Sequence, residues 1–153
     1  MIQDHRHVKG QAAAARGLRA MGPAAQRRIE EALEAGAEEL RARAAAIAPR
    51  DTGELASAIE VRKDLDGFKG TGAVGNFAKL SASRAGGLVR FVGVFPGKRG
   101  DPGWYAAWVE FGTKDTRARP FLLPSFITLR KRLQGRINRA VNKAVREAAA
   151  RGR

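Results

Sequence analysis

The stretch EFGTKDTRARPFLLP, residues 110–124, lies between two apolar segments and decides how the C-terminal half of the chain folds. In the residues before it, WYAAWVEF at 104–111, Tyr105, Trp108 and Val109 recur at helical spacing, which predicts a short helix. Gly112 can end that helix as a residue in the left-handed αL conformation. Thr113 to Arg119 are mostly polar and predict a turn.

The two prolines that follow this turn predict the rigid start of a long helix. Pro120 and Pro124 bracket an apolar pair, Phe121 and Leu122, which we expect to anchor the corner in the core. Glu110 is expected to fix the corner through Arg117 or Arg119. The predicted helix runs from Pro124 to about Ala150, and its apolar stripe consists of Phe126, Leu129, Leu133, Ile137, Val141, Ala144 and Ala148.

A second long helix is predicted over residues 23–48. Pro23 fits its first turn, and Pro49 ends it. Its predicted apolar stripe consists of Ile29, Leu33, Ala37, Leu40, Ala44 and Ile47.

The segment PRDTGELASAIEVR, residues 49–62, predicts a short helix followed by extended chain. Asp51 or Thr52 can cap the helix, which carries Leu55 and Ile59. The chain is expected to turn extended near residues 59–61.

LVRFVGVF, residues 88–95, is the strongest strand candidate, with Val89, Phe91 and either Val92 or Val94 as apolar positions. Residues 64–87 contain six glycines and predict a long flexible loop or hairpin. Residues 1–22 are expected to form an N-terminal arm. We therefore predict one α+β domain over residues 23–150, in which a small antiparallel sheet packs with two long helices and a short one.

The charge of +14 is concentrated at the C-terminus, because residues 117–153 hold 11 basic residues and one acidic residue. Residues 23–60 hold five basic and eight acidic residues. A block of like charge is stabilised by a polyanion, a negative neighbouring subunit or solvent.

The sequence offers no set of residues for catalysis, and we expect neither an enzyme nor a cofactor. Cysteine is absent, and the two histidines, His5 and His7, lie in a polar terminus that is not expected to hold a metal. GTGAVG, residues 70–75, follows polar chain and lacks the later acidic residue of a dinucleotide site. No apolar run reaches membrane-spanning length, so no membrane contact is expected.

Three blocks in order resemble the gene-product-ten family of neck, or head–tail joining, proteins of long-tailed double-stranded DNA phages. The resemblance covers about residues 17–150. Ala58 stands where the family pattern has serine, and Ser125 where it has alanine. The matching positions are Pro49, Asp51, Thr52, Gly53, Leu55 and Ile59; Tyr105, Ala106, Val109, Glu110, Phe111, Gly112 and Thr113; and Pro120, Phe121, Leu122 and Pro124.

The resemblance implies a structural virion protein made in the bacterial cytoplasm and located between the capsid and the tail. It implies a homo-oligomeric ring, with six-fold symmetry favoured and twelve-fold possible. The partners would be head-closure or adaptor proteins and tail-terminator proteins, with possible contact to genomic DNA in the channel. Gene transfer agents and prophages encode similar parts.

A ring requires one surface of a subunit to meet a different surface of the next. We hypothesise that acidic residues of the first long helix face basic residues of the last helix of a neighbour. The two sets are Glu30, Glu31, Glu34, Glu38 and Glu39, and Arg130, Arg132, Arg136 and Arg139. The alternative is a DNA-binding protein that uses the basic residues of 117–153 to contact phosphates. Its binding would be independent of sequence, and no aromatic residue follows Phe126 to stack on bases.

Overall fold

The computed structural model describes residues 22–64, 76–81, 88–96 and 99–151, with backbone alone for the strand at 76–81. The helices are α1 (Pro23–Ile47), α2 (Glu54–Ser57), α3 (Ala106–Phe111) and α4 (Leu122–Arg151). The strands are β1 (Glu60–Arg62), β2 (Asn76–Ser81) and β3 (Val89–Val94). They form an antiparallel sheet in the order β1-β3-β2, which confirms the predicted α+β class. The predicted N-terminal arm lies outside the described residues.

Helix α1 is the centre of the core, because it contacts both α4 and the sheet. Pro23 stands in its first turn, as predicted. Every residue of the predicted stripe up to Ala44 is fully buried. Ile47, the last helical residue, is 42% exposed, so its place in the stripe was wrong. Ala48, directly after the helix, is buried at 2% exposure and takes the core position one turn after Ala44.

The central strand β3 turns Arg90, Val92 and Val94 toward the core. Of the apolar positions predicted for this strand, Val92 and Val94 are buried, whereas Val89 and Phe91 alternate with them and are half-buried. Arg90 can be buried beside these valines because its Nε donates to Oε2 of Glu34 on α1 at 2.5 Å. A partner on another element thus allows a cation to occupy the buried face.

Strand β2 falls within the glycine-rich segment that the sequence assigns to a loop or hairpin. It pairs with β3 from Asn76↔Val94 to Ser81↔Val89, so these two strands make an antiparallel ladder of six residue pairs. Residues 65–75 and 82–87 lie outside the described residues.

The short helix α2 forms where it was predicted, and Leu55 within it and Ile59 after it are both buried. The capping prediction was wrong in its residue. The helix is preceded by Gly53 in the αL conformation, with no side-chain cap. Thr52, the residue before Gly53, still binds the start of the helix, since its hydroxyl accepts from the backbone N–H of Glu54 at 3.3 Å.

Helix α4 packs antiparallel to α1, since ion pairs from residues later in α1 reach residues earlier in α4. Arg28 of α1 forms an ion pair with Glu147 near the end of α4. Later in α1, Glu39 forms ion pairs with Arg132 at 3.0 Å and Arg136 at 2.8 Å. The predicted α4 stripe is buried from Leu129 to Ala144 and half-buried at its two ends, while Phe121 and Leu122 are buried in the core as expected.

Candidate functional site: the corner between α3 and α4

The short helix α3 buries a different face from the one predicted. Ala106, Ala107 and Glu110 are buried, whereas Trp108 is 42% exposed and Val109 is half-buried. Small alanines allow α3 to approach the rest of the molecule closely. Trp108 is therefore exposed, Val109 packs at the edge of the core, and the acidic Glu110 points inward.

Glu110 caps the N-terminus of α4. Its Oε2 accepts from the backbone N–H groups of Phe121 and Leu122, both at 3.0 Å, and its Oε1 accepts from Leu123 at 2.7 Å. The next residue, Pro124, has no N–H. The four N–H positions that a helix start leaves without internal partners are thereby all accounted for. The prediction that Glu110 acts through Arg117 or Arg119 was wrong.

The carboxylate of Glu110 also suits this position electrostatically. It is 3% exposed and lies at the positive end of the helix macrodipole. Ser125, fully buried, donates its hydroxyl to the carbonyl of Phe121 at 2.6 Å. The segment PFLLP therefore begins α4 through contacts with α3 rather than through a cap of its own.

The turn after α3 depends on Gly112 and Thr113. Gly112 has φ 77° and ψ 178°, so its φ is positive as predicted, but the residue is not in the αL region. A Cβ there would lie 2.8 Å from the backbone nitrogen of Ala118 and 2.9 Å from the carbonyl oxygen of Thr116. The Thr113 hydroxyl accepts from the N–H groups of Asp115 and Thr116, which closes the turn.

The first sequence block contacts the start of the second. Oε1 of Glu54 accepts from the backbone N–H of Gly103 at 3.1 Å. Tyr105 hydrogen-bonds with the side chain of Thr52. Burial and the charge of Glu54 raise the pKa of Tyr105 above its usual 10.0, Asp51 adds to this, and the Thr52 hydrogen bond opposes it. The structure thus brings the two blocks together although about 50 residues separate them.

An open depression of about 330 Å³ lies where the blocks meet. Pro49, Asp51 and Val109 line one part of it, and residues 116, 117 and 119 of the turn line the rest. Among the described residues there is no group of three His, Cys, Asp or Glu side chains that could hold a metal ion. No described helix is long and apolar enough to cross a membrane.

Four large apolar side chains are exposed on the two helices that meet at Glu110, and we call them the corner patch. Phe111 is 68% exposed and Ile127 is 64% exposed, with Leu123 at 51% and Trp108 at 42%. Phe111 was named from sequence only as a position of the family pattern, and the exposure of all four side chains was not predicted. A signal was present, since Leu123 and Ile127 are four residues apart and out of phase with the buried stripe of α4.

The family described as "Bacteriophage HK97-gp10, putative tail-component" matches residues 12–112, well over half of the chain. The chain belongs to this HK97-gp10-like family. Comparisons with curated proteins and with solved structures give no match. The match ends at Gly112, so the Glu110 cap joins the matched region to the helix that follows it. Membership supports a structural role in a phage particle.

Several glutamates of the hypothesised contact between an acidic α1 and a basic α4 of neighbouring subunits have partners within the chain. Glu39 pairs with Arg132 and Arg136 inside the chain. Glu34 pairs with Arg90, and Glu38 with Arg41. Most of the acidic side chains invoked for the neighbour are therefore already neutralised within one subunit, while Arg130 and Arg139 remain exposed.

Proposed function

We propose that this member of the HK97-gp10-like family is a structural virion protein of the phage neck. Copies of the chain form a closed ring that joins the head connector to the tail. The ring has six-fold or, as a second possibility, twelve-fold symmetry. Its neighbours in the particle are a head-closure or adaptor protein on one side and a tail-terminator protein on the other.

The observation that carries this proposal is the corner patch together with family membership. Phe111 directly follows the buried cap Glu110, yet two thirds of its surface faces solvent. An aromatic ring exposed to this degree contributes little to the stability of the subunit. Large exposed apolar side chains on adjoining helices are candidates for a surface that binds another protein. The corner patch therefore supplies the contact between subunits.

The patch is also held rigidly, as an assembly surface requires. Trp108 and Phe111 are one helical turn apart on α3, and Trp104 packs edge-on against Trp108 with ring centroids 4.8 Å apart. The Glu110 hydrogen bonds fix α4, and with it Leu123, relative to α3. Little conformational freedom is lost when such a surface is covered.

The oligomeric state tests the ring. Light scattering after gel filtration is expected to give a mass six or twelve times 16.5 kDa for the unchanged chain. Ile127→Asp should shift the mass to that of a smaller species, because it places a charge on the patch. Asn142→Asp is the matched control, an exposed position farther along the same helix that should leave the mass unchanged. A monomeric unchanged chain would overturn the ring.

Location in the particle is tested by deleting the gene from the phage or prophage that encodes it. We expect filled heads and complete tails that fail to join, visible by electron microscopy. Loss of tails as a whole, with normal heads, would instead place the protein in the tail and would contradict the neck assignment.

A further inference from the structure

The exposed side of α4 carries five cations within one arc of the helix, and we call this surface the cationic strip. At 100° per residue its members fall within about 120° of the helix circumference. All five are exposed. They are Lys131, Arg132, Arg139, Lys143 and Arg146.

The cationic strip has almost no acidic neighbours. No Asp or Glu occurs between Thr116 and Arg146. The next acidic residue, Glu147, forms an ion pair with Arg28. On the facing helix, Glu39 pairs with Arg132 and Arg136, and the side chain of Arg132 still remains 68% exposed. Among the described residues, Arg132 is thus the one member of the strip with an ion-pair partner, and the other four cations have none.

We propose that the cationic strip binds the phosphate backbone of double-stranded DNA without reading its sequence. This inference does not depend on the neck assignment. The strip spans about 23 Å along a straight helix, or roughly two thirds of one turn of B-DNA. Lys and Arg spaced along such a length can contact several phosphates and release their counterions.

The polar residues beside the cations fit the same ligand. Asn138 and Asn142 are exposed on this side of α4, and their amide groups can donate to phosphate oxygens. Aromatic side chains are absent from the helix after Phe126, which is itself half-buried. Base stacking, on which single-strand binders rely, therefore has no platform here, and the surface fits a duplex.

The test is fluorescence anisotropy with a labelled 30-base-pair duplex of mixed sequence, titrated between 50 and 300 mM NaCl. The unchanged chain should bind with a logarithmic salt slope of about −4, as expected for four or five phosphate contacts. The triple variant R139E/K143E/R146E should lose at least about ten-fold in affinity at 100 mM NaCl. Its logarithmic salt slope should be no steeper than about −2, because fewer phosphate contacts remain.

A matched control separates the strip from the overall charge. R27E/R43E/R50E changes three exposed cations at the α1 side and lowers the net charge by the same amount. It should lose less than about three-fold in affinity. Equal losses in the two triple variants would overturn the strip, as would the absence of duplex binding by the unchanged chain at 50 mM NaCl.

Additional measurements check that the variants are folded and compare the duplex with other anionic ligands. Circular dichroism checks that each variant is folded, and R139Q/K143Q/R146Q replaces the charge reversal if that variant unfolds. A single strand of equal length that binds more tightly than the duplex would contradict the assignment, as would binding to anionic vesicles without binding to DNA. None of these results bears on the mass of the assembly, so the ring proposal stands or falls separately.

Discussion

At the scale of single residues, Glu110 holds the corner together by bonding to backbone rather than to another side chain. Glu110→Ala would leave the N–H groups of Phe121, Leu122 and Leu123 without their acceptor. An unsatisfied buried donor costs about 1–3 kcal/mol, so we expect the free energy of unfolding to fall by about 3 kcal/mol or more. Urea denaturation followed by circular dichroism measures this loss.

Two comparisons sharpen that measurement. Glu110→Gln keeps one oxygen acceptor but loses the charge, so its loss should be intermediate. Glu31→Ala removes the same side-chain type from an exposed position on α1 and should change stability by no more than about 0.5 kcal/mol. If Glu110→Ala were as mild as Glu31→Ala, the capping role would be wrong.

Gly112 is a second residue whose role can be isolated, because Gly22 has nearly the same backbone angles. Gly112 has φ 77° and ψ 178°, and Gly22 has φ 80° and ψ 169°. A Cβ at Gly22 would meet nothing within 4 Å, whereas at Gly112 it would meet the backbone of the turn at 2.8 Å. Both alanine variants bear the cost of the backbone angles, about 1–3 kcal/mol.

The expected result is therefore a difference between the two variants. Gly112→Ala should destabilise the chain by at least about 1 kcal/mol more than Gly22→Ala, because backbone atoms of the turn must move. Thermal melting of both variants under the same conditions measures the difference. Equal melting temperatures would show that the close approach to residues 116 and 118 is unimportant.

At the scale of elements, the two long helices were predictable from sequence because each carries a continuous apolar stripe that packing on one side requires. The errors arose where a distant partner decides the local structure. The core position of Arg90 depends on Glu34, 56 residues away in sequence. Strand β2 lies in the segment predicted as a loop or hairpin, and its antiparallel pairing with β3 agrees with the hairpin alternative. The partner of Arg90 cannot be read from a local pattern.

In the candidate site, too, local features were predictable from sequence and contacts between distant residues were not. The sequence located the corner correctly, since the glycine, the prolines and the apolar pair are local signals of turns and helix starts. It did not give the acceptor role of Glu110, because the carboxylate reaches backbone 11 to 13 residues later through a turn of irregular shape. The exposure of Trp108 was also missed, since helical spacing alone does not say which face is covered.

Helix α4 contains a glycine whose replacement should stabilise the chain. Gly135 lies in the helix interior, where glycine costs about 1 kcal/mol relative to alanine. A Cβ there would meet only the end of the Arg139 side chain, at 3.2 Å, and that side chain is exposed and can move. Gly135→Ala should therefore raise the free energy of unfolding by about 0.5–1 kcal/mol in urea denaturation. A loss of stability would mean that Arg139 cannot move aside.

At the scale of the whole molecule, salt concentration should act in opposite ways on the two proposed surfaces. The corner patch is apolar, so an assembly built on it should be unchanged or strengthened as NaCl rises from 50 to 500 mM. The cationic strip binds by charge, so duplex DNA should dissociate over the same range. The measurements are the mass by light scattering and the anisotropy of labelled DNA, made on the same samples.

This experiment also decides between the corner patch and the acidic–basic contact between subunits that the sequence suggested. A ring held by glutamates of α1 and arginines of a neighbouring α4 would dissociate in high salt, and Glu30→Lys with Glu31→Lys would weaken it. Because Glu34, Glu38 and Glu39 already have partners within the subunit, we expect neither effect. The opposite result would be a ring that dissociates at 500 mM NaCl and is disrupted by the Glu30 and Glu31 changes but not by Ile127→Asp. That result would assign the subunit contact to the charged helices instead of the corner patch.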